Sequence, residues 1–209
     1  MFKRIFQLFK IARKLSTSGA IDTINQIYTL PVTINIFFNL ISIGSEKKLV
    51  NNQKKPGEKL CLALEGMGTT FIKLGQFLAT RPDIIGEELA DNLEKLQDKL
   101  PAFDTYEAKK IIKKEVGETQ YKNILELSEP IAAASIAQVH IAKIKEENEN
   151  REVAIKILRP NIEKLFNEEL DALMLFAYII ENTFSKAKRL KLVEVVYLLR
   201  EITNIEMDL

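Results

Sequence analysis

The stretch Ala132–Leu158, AAASIAQVHIAKIKEENENREVAIKIL, decides the fold. Ala137–Ile144 alternates apolar and polar positions, a polar run follows over Lys145–Arg151, and Glu152–Leu158 alternates again. Two period-2 segments on either side of a polar turn predict an antiparallel hairpin. In its second arm Val153, Ile155 and Ile157 share one face, and Ala154, Lys156 and Leu158 share the other. Lys156 lies in mid-strand among apolar neighbours. It is placed there to meet a small charged ligand, or else it is an ordinary edge-strand lysine.

Upstream of the hairpin, residues 58 to about 123 read as helical. They run as Glu58–Thr80, a break at Arg81-Pro82-Asp83, Glu87–Lys99, a break at Pro101, and Thr105–Val116 ended by Gly117. Strand-like runs begin at Ile124, and helices resume from Pro160. The fold class this predicts is α+β. The charged stretch Glu46–Lys59, with Pro56-Gly57, reads as a linker. The chain thus divides into a leader (1–50), a helical extension (51–123) and a sheet-bearing block (124–209). On the 58–80 helix Lys73 and Gln76 share a face, and Thr69 and Thr80 extend the same polar line between Phe71, Ile72, Leu74, Phe77 and Leu78. A lysine in such surroundings either snorkels to water or has a carboxylate or phosphate partner.

The leader begins MFKRIFQLFKIARK, with Phe2, Ile5, Phe6 and Phe9 at helical spacing and five cations, Lys3, Arg4, Lys10, Arg13 and Lys14. A basic amphipathic helix of this kind lies on an anionic membrane surface or packs its apolar face on its own domain, and both readings stay open. Tyr28–Gly44, interrupted by Pro31, Asn35 and Asn39, reads as a core or interfacial helix; no stretch reaches the roughly 18–20 apolar residues of a span. The 209 residues carry 30 basic and 29 acidic side chains, 46% hydrophobic and 28% charged in all. That composition excludes disorder, and its near-neutral balance excludes a dedicated nucleic-acid binder. A single cysteine, Cys61, excludes a disulfide scaffold and reads as a small buried hydrophobe. His140 falls in the strand alternation as a core residue, with no second histidine for a metal site.

Val153-Ala154-Ile155-Lys156 matches the protein-kinase strand whose lysine contacts the α/β-phosphates. One hairpin earlier, where kinases carry a glycine-rich loop, stands Ala132-Ala133-Ala134-Ser135. Alanine visits positive φ reluctantly, so this loop cannot wrap phosphates as a glycine loop does. Further marks are Phe71-Ile72-Lys73-Leu74-Gly75-Gln76, continued by Leu78–Asp83; Leu96-Gln97-Asp98-Lys99; Ile136–His140; Arg159-Pro160; and Glu206-Met207-Asp208. On these motifs, in this order over about residues 58–209, the chain resembles the UbiB family of atypical protein-kinase-like proteins, which support ubiquinone biosynthesis.

The resemblance implies a helical N-terminal extension packed on a protein-kinase-like N-lobe, with the chain stopping before the C-lobe. By the same resemblance Ala132, Ala133, Ala134 and Ser135 cover a nucleotide and Lys156 holds its phosphates. Lys73 and Gln76 belong to the family helix over the active site, with Glu206 and Asp208 as the expected partners of Lys73. ATP or ADP with Mg2+ is implied for a complete family protein. A catalytic-loop Asp, its Asn and the Asp of a D-F-G element cannot be placed, so no catalytic residue and no metal ligand is assigned in this chain. The function implied is an N-terminal portion of an atypical kinase or ATPase of ubiquinone (polyprenylphenol) biosynthesis; the alternative is a non-catalytic, membrane-associated binding module. Whether the chain is itself an enzyme stays open, although the family is often described by its pathway step as a 2-polyprenylphenol 6-hydroxylase. Implied partners are a separately supplied C-lobe half, ubiquinone-biosynthesis proteins or lipid intermediates, and a membrane surface, with no nucleic acid. The implied location is peripheral on the cytoplasmic side of the inner membrane, or the matrix side of a mitochondrion.

Overall fold

The computed structural model of the chain describes residues 2–27, 31–44, 54–96, 100–146 and 149–208. Helices come first: α1 (Phe2–Thr17), α2 (Ala20–Ile27), α3 (Val32–Ile41), α4 (Pro56–Met67), α5 (Thr69–Ala79), α6 (Pro82–Ile85), α7 (Glu87–Leu93) and α8 (Thr105–Tyr121). Strands β1 (Ile124–Ala133), β2 (Ala137–Lys145) and β3 (Asn150–Leu158) follow. Then come α9 (Ile162–Thr183), a 3-10 turn (Ser185–Leu190) and α10 (Leu192–Met207). The class is α+β, as the change of hydrophobic period predicts. Contacts gather the chain into two units, one from residues 1–97 and 164–205 and one from 98–163 and 206–209.

The second unit is a three-stranded antiparallel sheet in the order β1-β2-β3 with α8 on one face. Asp104 caps α8 by accepting from the Tyr106 N–H at 2.6 Å. Gly117, at φ 81° and ψ 163°, interrupts the helix where the sequence predicts its end, and the chain regains helix as far as Tyr121. Ala108 and Ile112 of α8 form a core with Ile157, joined by Phe103, Ile124, Leu127 and Ile155. β1 is an edge strand, which is why Pro130 is tolerated within it, and the register shifts on either side of that proline.

The first unit is helical. Gly68, at φ 97°, turns the chain between α4 and α5, so the predicted continuous helix over 58–80 is in fact two helices. No proline marks that break, and hydrophobic spacing alone runs through it. Pro56 occupies the first turn of α4, where its missing N–H costs nothing, so Pro56–Lys59 belongs to a helix and not to a linker. Of the rest of the predicted linker, 46–53 lie outside the described residues, and Lys54 and Lys55 lead into the helix. The helix expected over Glu87–Lys99 ends at Leu93, and 97–99 are likewise outside. Met67, Phe71, Ile72, Leu93, Phe166, Leu170 and Leu199 are almost fully buried. The second half of α1 joins this packing, with Ile11, Ala12 and Ser16 buried. Lys14 reaches Glu169 at 3.3 Å and stands 5.2 Å from the Phe71 ring centroid, a partly desolvated pair with a cation–π contact.

Candidate functional site

Pairing across the sheet sorts its side chains onto two faces. Ile157 pairs with Gln138 and Ile155 with His140, and these rows turn toward α8. Gln138 and His140 are fully buried but completely engaged. The Gln138 amide accepts from the Phe103 N–H (2.8 Å) and donates to the Phe103 carbonyl (3.1 Å). It also lies 2.8 Å from His140 Nε2, while His140 Nδ1 lies 2.8 Å from the Ser128 carbonyl. Since that carbonyl can only accept, Nδ1–H donates to it and Nε2 accepts from Gln138. His140 is thus a core residue, as its place in the alternation predicts.

The intervening rows face the other way. Lys156 pairs with Val139, and Val139 with Ala132, so the lysine and the start of the alanine loop stand in one cross-strand row. Side chains in such a row point to the same face, and two strand spacings set their Cα atoms about 10 Å apart. Lys156, Ala154 and Ala132 are exposed. Lys156 Nζ donates at 3.3 Å to the carbonyl oxygen of Glu206, in the last turn of α10. That carbonyl is one of the unsatisfied acceptors at the negative end of the helix dipole. A single long, exposed bond to a neutral oxygen leaves the ammonium able to exchange partners with an anion.

The loop after β1 is tightly made. The Ala134 N–H donates to the Ala137 carbonyl at 2.8 Å, and Ser135 and Ile136 are buried. None of Ala132–Ser135 has a positive φ, so alanine suits this backbone without strain. Arg159, a residue to which sequence reading gave no role, holds the loop from outside. Its Nε and Nη2 donate to the Ala134 carbonyl at 3.0 and 2.7 Å. No spacing rule would find this contact, because the partners are 25 residues apart.

In the helical unit Lys73 and Gln76 are half-buried on α5. Gln76 Nε2 reaches the Leu96 carbonyl at 3.5 Å, the outer limit of a hydrogen bond. Gly75 between them has a packing reason: a Cβ there would overlap Leu96 Cδ1 and stand 2.9 Å from Leu64 Cδ1. The glycine lets α5 lie close to both leucines. Glu206 is half-buried and Asp208 exposed at the end of α10. These two carboxylates belong to the second unit, while Lys73 and Gln76 belong to the first. Cys61 is buried, donates to the Asn92 carbonyl at 2.9 Å, and has its thiol pushed up to about 11 by that burial, with Glu65 nearby.

The second unit sets a strand lysine and a small-residue loop in the same row, an arrangement that would suit part of a nucleotide's phosphates. The loop offers less than a glycine loop, since the Ala134 N–H is already used within the turn. Among the described residues no group of three or more His, Cys, Asp and Glu converges. No helix among them is long and apolar enough to cross a membrane.

Comparison with known proteins bears on the family of the chain. Residues 95–209 match the model of the ABC1 atypical kinase-like domain. The chain is 36% identical over 209 residues to a probable protein kinase UbiB of Marinobacter nauticus, covering 99% of this chain and 37% of that protein. It is 38% identical over 152 residues to the like-named protein of Azotobacter vinelandii, covering 72% and 28%. With that of Vibrio atlanticus it shares 38% over 160 residues, covering 76% and 29%. The chain therefore spans well under half the length of these curated relatives.

Proposed function

The chain belongs to the ABC1 family of UbiB-type atypical kinase-like proteins, and from this premise we propose that it supplies the N-lobe side of a nucleotide site in ubiquinone biosynthesis. The observation that carries the reading is the row Ala132–Val139–Lys156 on the sheet face turned away from α8. Lys156 attracts the phosphates of ATP or ADP, and Ala132, Ala133, Ala134 and Ser135 form the cover above them. A bound nucleotide supplies the phosphoryl group or the energy of its hydrolysis. The chain's residues hold and orient it, with Mg2+ ligands coming from elsewhere in a complete protein.

Photolabelling of the 209-residue chain with an azido-ATP analogue tests the site. Labelling of residues 132–158 competed by ATP, and reduced at least fivefold in Lys156→Ala, supports the proposal. Labelling indifferent to Lys156→Ala, or none that ATP competes, overturns it.

A second reading, a membrane-surface module, draws on the first unit. α3 buries Phe38 and Ile41 against Ala12, yet its opposite face exposes Val32, Ile36 and Leu40, with Ile43 just beyond. Phe6 and Phe9 of α1 are exposed too, and residues 1–45 hold five cations against one anion, Asp22. Exposed apolar area beside cations fits an anionic interface, at roughly 1 kcal/mol per basic residue. Co-sedimentation with anionic liposomes at low and high salt tests it. Equal binding by a chain starting at Pro56 would remove the leader from the reading.

A further inference from the structure

The alanine loop of the second unit is tied to a distant segment by one side chain. Besides its two bonds to the Ala134 carbonyl, Arg159 donates from Nη2 to the Pro101 carbonyl at 2.9 Å and stands 3.4 Å from that of Leu100. Its guanidinium carbon lies 5.9 Å from the centroid of the Phe103 ring. The Arg159 backbone N–H donates to the Ile136 carbonyl at 2.8 Å, so main chain and side chain hold opposite ends of the same turn. The Phe103 backbone is in turn held by the buried Gln138 amide, which accepts from its N–H and donates to its carbonyl.

This task needs arginine chemistry. A planar guanidinium presents several N–H donors in a fixed fork and can serve the Ala134 and Pro101 carbonyls together. A lysine ammonium carries the same charge but is a point donor on a flexible stem. Pro160 disfavours helical backbone at Arg159, so the chain leaves β3 extended at the residue that carries the fork.

We infer that Arg159 is a positioning residue, which sets the alanine loop over the Lys156 face by clamping it to the 100–103 connector. The inference rests on the reading of that face as a nucleotide site, but its first test uses no nucleotide.

Hydrogen–deuterium exchange is followed in the full 209-residue chain and in Arg159→Lys and Arg159→Ala. The expected result is about tenfold faster exchange of the loop amides in both variants, with α8 unchanged. Guanidinium ion at tens of millimolar, matched in ionic strength by sodium chloride, restores protection in Arg159→Ala alone. Normal protection in Arg159→Lys overturns the inference, because charge and stem would then suffice. Loss of protection that guanidinium does not restore also overturns it, since a general loss of stability gives that pattern. ATP-competed photolabelling then falls several-fold in Arg159→Lys with Lys156 intact; unchanged labelling against a loosened loop shows that the clamp positions nothing for the ligand. Failure of the exchange test leaves labelling at Lys156 standing, and failure of Lys156→Ala to alter labelling leaves the exchange result standing.

Discussion

The two faces of the sheet are made from the same strands and differ in almost everything else. Toward α8, Gln138, His140, Ala142 and Ile157 are buried, and both polar members have partners at every position that matters. Away from α8, Ala132, Ala154 and Lys156 are open, and Lys143 sits in a row between Glu126 and Glu152. Alternate residues of β3 therefore stand in different surroundings: Ile155 and Ile157 pack toward α8, and Lys156 between them lies on the open face with one exposed hydrogen bond. Burial with satisfied hydrogen bonds makes a face stable, and an exposed charge with a weak partner makes one exchangeable.

The sharpest way to break this contrast is to shorten Ile157. Only 3% exposed and in contact with α8, it leaves a cavity that α8 and β3 cannot fully close. Ile157→Ala is expected to cost about 3–4 kcal/mol in urea unfolding. A loss below about 1 kcal/mol would mean that the α8 face is not a core.

Next in size is the buried thiol of the helical unit, where the same contrast of covered and open surface is read by pH. Burial raises Cys61 from its ordinary value of 9.0 to about 11. Below pH 9 the thiol is protonated in both states and has no differential effect. Above 9 the unfolded thiol ionises first, so native stability falls across pH 9–11 and levels off beyond. The full fall is on the order of 2 kcal/mol. It is measured as the difference between the parent chain and Cys61→Ala over that range, because lysines and tyrosines titrate there as well. A flat difference would show the thiol to be solvated in the native state.

How much of this could be read in advance depended on where the partners lie along the chain. The hairpin was legible because strand alternation is local, and Lys156 could be placed on the face opposite Ile155 and Ile157 from spacing alone. The α4–α5 turn was not, because Gly66 and Gly68 resemble helix-tolerated glycines until φ at Gly68 is known. Pro56 was ambiguous for a related reason, since proline both ends segments and begins helices. Arg159 and its carbonyl partners lie 25 and 58 residues apart, and Lys14 and Glu169 lie 155 apart. Such contacts are products of the tertiary fold, and no local pattern encodes them.

A smaller effect is expected at Gly75, where sequence showed the residue and structure shows the reason. Adding a methyl group on this face of α5 overpacks it against Leu96 and Leu64, at about 1–3 kcal/mol. Alanine's better helix propensity returns up to about 1 kcal/mol. Gly75→Ala should therefore be net destabilising by about 1–2 kcal/mol in urea unfolding. A stabilised variant would show that the two leucines move aside freely, and that close packing does not explain this glycine.

The smallest expected effect is the most informative one about the open face. Lys156→Ala removes one exposed hydrogen bond of 3.3 Å to the Glu206 carbonyl, and with it a favourable charge at the end of α10. An exposed cation at a helix C-terminus contributes typically 0.3–1 kcal/mol, and water can take over the freed carbonyl. Truncating the lysine also removes side-chain ordering, which offsets part of that loss. The net change in stability should be at most about 0.5 kcal/mol, within a degree or two in melting temperature for a chain of this size. The measurement is a melt of Lys156→Ala beside Ile157→Ala, two adjacent residues on opposite faces. Near-silence at 156 with a large loss at 157 is what a lysine kept for a ligand requires. A loss above about 1.5 kcal/mol at 156 would make Lys156 a structural tie to the end of α10, and the proposed nucleotide site would lose its cation.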